Sequence, residues 1–236
     1  MARGKTLEWI LNGVRAEARM SLNPAANVQV RESHILLIQR EQQRLWEDFA
    51  WPHLRVYRQI PLQAGQYQYG LPNDVSMDRV EKIDINDGGR WRPLRPEITD
   101  YDLEIYQTDL GERSWPVQAW RADENDQVEV WPIPEQNADP ATLEGNLRVT
   151  AIRNLNPLVD DGDRADLDDR LLILYVAGGL LAAAGATDAQ LKIEAANKLY
   201  LKLKGHQTKS KSFNMFSTTT KTVSRLGRGP RPYMTR

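Results

Sequence analysis

The 236-residue sequence predicts an α+β protein: an antiparallel helical bundle with an inserted antiparallel β lobe and an extended C-terminal arm. Three observations lead there. Segments with helical periodicity open the chain, short alternating segments bounded by turn residues follow, and helical periodicity then returns before a final stretch with none. The expected divisions are 1–53 for the N-terminal helices, 54–157 for the β lobe, 158–205 for a C-terminal helical hairpin and 206–236 for the arm.

Thr6 to Met20 reads as a first helix, with Leu7, Ile10, Leu11, Val14 and Ala18 on one side; Ser21-Leu22-Asn23-Pro24 breaks it. A longer helix spans about 27–49. Its apolar stripe is Ile35, Ile38, Leu45, Trp46 and Phe49, its other faces are charged, and Trp51-Pro52 ends it because a residue before proline is pushed out of the helical region. Strand-like segments follow at 55–61, 66–69, 79–85, 90–94, 117–121, 127–131 and 146–152. The Asn86-Asp87-Gly88-Gly89 stretch is the strongest hairpin signal, Ala64-Gly65 and 123–126 are further turns, and 99–110 suits a short helix.

The stretch from Asp166 to Gly205 organises the rest. Leu171 to Ala186 is almost unbroken apolar sequence, interrupted only by Gly178, Gly179 and Gly185. A helix apolar on every side must be surrounded, and about 16 residues fall short of the ~20 that span a bilayer, so a buried central helix is expected and no membrane. Gly178, Gly179, Ala182 and Ala183 allow neighbouring backbones to approach. After a turn at 185–188, a second helix presents Ile193, Ala196, Leu199, Tyr200 and Leu203 on one face. Thr187-Asp188-Ala189-Gln190 reads as its capping box and Gly205 as its stop.

With no cysteine there is no disulfide framework and no thiolate metal site. Glu8 and Asn12 interrupt the apolar run that a signal peptide needs, which points to synthesis in the cytoplasm. His34, His53 and His206 are not at ligand spacing with one another, so they read as packing or surface residues, with no metal expected. The acids Asp160, Asp161, Asp163, Asp166, Asp168 and Asp169 do not match a calcium loop. Charge at a helix start complements its dipole and caps free N–H groups, and lining a negative surface is compatible with that use. No nucleophile elbow, zinc-protease, phosphate-loop or dinucleotide motif occurs, so no catalytic residue and no cofactor are expected. Trp46, Trp51, Trp91, Trp115, Trp120 and Trp131 read as core packing, with interface anchoring the sharper alternative.

Net charge is −1, but residues 206–236 hold seven basic and no acidic residues, which leaves the body at about −8. Within that arm Lys209, Lys211, Lys221, Arg225, Arg228, Arg231 and Arg236 are interleaved with Phe213, Met215, Phe216, Leu226 and Tyr233. Basic residues alone would suit nucleic-acid phosphates; the apolar anchors favour a protein partner with an acidic, grooved surface.

Three stretches, WEDFAWPHLRVYRQIPLQAGQYQYGLPNDVSMDRVEKI, VEVWPIPEQN and LRVTAIRNLNPLVDDGDRADLDDRLLILYVAGGLLAAA, together resemble bacteriophage head-to-tail adaptor (portal-binding connector) proteins in the same order. In that family a helix feeds the first hairpin of the β lobe, a Pro-x-Pro strand end follows, and an acidic loop leads into the central helix. The resemblance implies a structural virion protein at the neck of the capsid: a ring, dodecameric, beneath the portal protein. Such a ring would carry genomic DNA through its lumen without specific binding and offer a platform to tail or nozzle proteins. The arm residues named above would then clasp the portal, and Asp160, Asp161, Asp163 and Asp166 would face the lumen or cap the helix. Some relatives are linked to cell-wall hydrolysis, and no residue here matches that activity. The charged outer faces of helices 28–49 and 189–204 are the expected ring contacts.

Overall fold

The computed structural model describes residues 3–23 and 28–207 and is a mixed α+β structure of helices and mainly antiparallel sheets. α1 (Leu7–Glu17) is capped by Thr6, whose hydroxyl accepts from the Trp9 N–H, and it buries Leu7, Ile10, Leu11 and Val14. α2 (Val28–Asp48) buries Ile35, Ile38, Leu45 and Trp46 and only half-buries Phe49. At the helix exit the buried Trp51 indole donates to the Leu45 carbonyl at 2.8 Å, and Pro52–Leu54 form a single tight turn. Arg15 of α1 and His34 of α2 are also buried in this core. Burial, and secondarily the Arg15 charge, lowers the His34 pKa, so the ring is held neutral.

β1 (Arg55–Pro61), β3 (Val75–Asp87), β4 (Arg90–Pro93) and β10 (Asn146–Arg153) form one antiparallel sheet in the order β1-β10-β3-β4. The β3–β4 hairpin closes through Gly88 and Gly89, both at positive φ, as the expected two-residue turn requires. A second sheet orders β2 (Gln68–Gly70), β8 (Gln127–Trp131), β7 (Ala119–Ala122) and β5 (Arg95–Pro96). The β5–β7 pairing is parallel, as is that of β6 (Arg113–Ser114) with β9 (Ile133–Pro134); β5, β6 and β9, two residues each, are too short to show a period in sequence. α3 (Asp100–Ile105) carries a complete capping box between Thr99 and Asp102. Ile83, Ile85, Leu147, Val149, Val128 and Val130 centre the apolar core of the strands, separate from that of the helices.

α4 (Asp169–Ala183) is the central helix. It ends where Gly185, at φ 68°, donates to the Ala182 carbonyl and Ala186 donates to that of Leu181, a Schellman closure. α5 (Ala189–Gln207) runs back along it. A Cβ on Gly178 would lie 2.9 Å from Ile193 Cγ1 of α5, and one on Gly13 of α1 would lie 2.5 Å from Ile173 Cδ1, so glycine sets both close approaches.

Three expectations change. α5 starts one residue later than the capping box requires: Gln190 donates to Glu194 instead, and Asp188 pairs with Arg19. Gly205 does not stop α5, which continues to Gln207; one glycine costs about 1 kcal/mol in a helix, too little to end a packed one. α4 is not surrounded along its whole length, since Gly179, Ala182 and Ala183 are exposed. There a groove of about 200 Å³ opens between α2 and α4, lined by Leu37, Val176, Gly179, Leu180 and Ala183. Among the described residues no helix is long and apolar enough to cross a membrane.

Replacing Gly178 with valine forces α4 and α5 apart. The expected loss is roughly 1–3 kcal/mol, read from denaturant midpoints, whereas the same change at open Gly179 should be neutral or slightly stabilising, because valine has the higher helix propensity.

Candidate functional site: the acidic junction

The loop from Leu158 into α4 joins the helices to the strands, and its acids hold that joint together. Asp163 accepts the Val159 and Asp160 backbone N–H groups, both at 2.7 Å, which keeps its carboxyl below the usual range. Asp166 forms an ion pair with Arg153 at the end of β10 and accepts the Asn156 backbone N–H at 2.7 Å. The Asp166 carbonyl meets His53 Nε2 at 2.9 Å, which fastens the exit of α2 to the same loop. Asp161 is exposed and pairs with Arg31 of α2; Asp160 is exposed and uses its carbonyl to accept the Asp163 N–H at 3.0 Å.

The start of the chain is held by the same loop. Leu7 N–H donates to the Asp163 carbonyl at 2.7 Å, and Arg3 and Thr6 form bridges with Asp168 and Arg164. The cap of α4 is Asp168, whose carboxylate accepts the Leu171 N–H at 3.2 Å, while Asp160, Asp161, Asp163 and Asp166 lie before the cap and shape the loop. Asp169 is fully buried; burial pushes its carboxyl up to about 6, the Lys5 N–H works against that, and the neighbouring Asp168 charge adds to it.

Sequence spacing identified the acidic cluster but could not divide its labour, because the partners Arg3, Lys5, Leu7, Arg31, His53 and Arg153 lie far away in the chain. Among the described residues no group of three or more His, Cys, Asp or Glu side chains could hold a metal ion. The arm residues Lys209, Lys211, Phe213, Met215, Phe216, Lys221, Arg225, Leu226, Arg228, Arg231, Tyr233 and Arg236 lie outside the described residues.

These bonds link the end of β10, the exit of α2 and the start of α1 to the loop that leads into α4. The family model described as SU10 adaptor protein matches residues 6–216, so the chain belongs to the SU10 adaptor protein family, a family of phage head-to-tail adaptors. Such an adaptor is a structural component of the virion. No curated protein matches the chain.

Asp166→Ala removes an anion that the Arg153 guanidinium and the Asn156 N–H both face, and should cost ~2–4 kcal/mol of stability. Asp169 gives a pH signature of its own. Its proton is held more tightly in the folded state, so its contribution is intact below about pH 4 and is lost as pH rises through about 6. Asp169→Asn should therefore be more stable than the parent at pH 8, by on the order of 2–3 kcal/mol, and equal to it near pH 4, by denaturant titration at both values.

Proposed function

We propose that the protein forms a closed ring beneath the portal, extends the channel through which genomic DNA passes, and presents a platform to tail or nozzle proteins. The family match over residues 6–216 carries this reading. In it the helices make one bundle from the two ends of the folded chain, with residues 54–157 as a lobe inserted between them, and the arm after 206 reaches the portal. The body's excess of acidic residues supports the channel role, because fixed positive charge would bind phosphates and hold the DNA. Exposed Asp160 and Asp161 are the acids of the loop that can still face a lumen, since Asp163 and Asp166 are engaged within the junction. The seven basic residues of the arm, interleaved with Phe213, Phe216 and Tyr233, suit an acidic groove on the portal.

A chain truncated after Gln207 is expected to keep its thermal transition and to fail to join tails to DNA-filled heads, scored by electron microscopy of complemented lysates. Normal tail attachment by that truncation would refute the arm's role. The same basic arm supports a second reading, nucleic-acid binding. Under it the full chain would bind DNA with a steep salt dependence that disappears on truncation.

A further inference from the structure

We infer that the ring contact is a parallel pairing of α5 of one copy with α2 of the next, in a register that sets Leu191 on Leu36, Glu194 on Arg40 and Lys202 on Glu47. This rests on the ring reading above and specifies its interface.

α2 and α5 both run antiparallel to α4. Arg44 lies over the Tyr175 ring at 4.7 Å while Leu37 lines the groove with Leu180 and Ala183; on α5, Asn197 accepts from the Tyr175 hydroxyl at 2.7 Å while Ile193 meets Gly178. Within one subunit the two helices therefore point the same way. They pack on neighbouring sides of α4 and meet at their C-terminal ends, where Tyr200 and Lys204 of α5 engage Asp48 of α2, while Leu36 and Leu191 stand exposed on their outer sides. A rotation about an axis along these helices preserves their direction and brings the outer side of one against the outer side of the other, the heterologous contact that closes a ring.

The two exposed faces are complementary. On α2, Leu36, Arg40 and Glu47 share one stripe, and Leu36 is 64% exposed; on α5, Leu191, Glu194 and Lys202 share another, and Leu191 is 66% exposed. In both helices the stripe runs 11 residues from its leucine to its last charge, roughly 16 Å of rise, so aligning the leucines aligns Glu47 with Lys202. Neither Glu47 nor Lys202 has an ion-pair partner among the described residues, and Arg40 has only Glu41 at 3.9 Å. Leu201, Ala195 and Lys198 fill the rest of the α5 face, and the open groove over Gly179 and Ala183 lies beside the α2 stripe.

The chain has no cysteine, so a Leu36→Cys, Leu191→Cys double variant provides a clean test in assembled particles. Both positions are exposed, so the fold should tolerate them. Under oxidation the double variant should give a ladder of covalent multimers and each single variant none. A ring visible in particles without that ladder would overturn the register and leave the ring standing. Dimers from either single variant would indicate a two-fold contact and overturn the proposal. A wild-type protein that is monomeric both alone and in particles would remove the ring and the proposal with it. As a second readout, Lys202→Glu and Glu47→Lys should each weaken self-association roughly 5-fold, and together restore it; two losses that simply multiply would also overturn the pairing.

Discussion

An apolar helix that must not meet water governs this structure. α4 has no charged side chain between Leu171 and Ala183, and α1, α2 and α5 all pack against it. α1 reaches it at Gly13, α5 at Gly178, and α2 through Arg44 and Leu37, and the two glycines set how closely these helices approach. Among the described residues the cover is incomplete towards the end of α4, where Gly179, Ala182 and Ala183 are open to solvent beside the groove with α2.

The strands are tied to this helical core by charge and by Ile152 of β10, which is buried among the helix residues. Their core and that of the helices are separate, and the loop before α4 links them through Asp166 to Arg153 and to the α2 exit at His53. The same loop takes backbone bonds from the start of α1. Asp163 and Asp166 therefore organise the loop backbone, and Asp168 caps α4.

Much of this was legible because local signals and tertiary needs agreed. β1 and β8 span the residues that alternation gave, the glycine pair closes the β3–β4 hairpin, and α1 buries the apolar stripe read from its period. What could not be read depended on distant partners. The two-residue parallel pairings have no period, the close approach of Gly13 to Ile173 joins positions 160 residues apart, and Arg15 and His34 are polar residue types buried on otherwise apolar faces. The incomplete cover of α4 was invisible for the same reason: composition says that a helix needs a shell, and only the packing says where the shell stops.

The proposed ring contact covers the outer faces of α2 and α5 in the assembled particle. Hydroxyl-radical footprinting of Leu36 and Leu191, compared between the free chain and purified virions, tests it directly. Strong labelling of both leucines in the free chain and loss of that labelling in virions is the predicted result. Equal labelling in the two states would contradict the account.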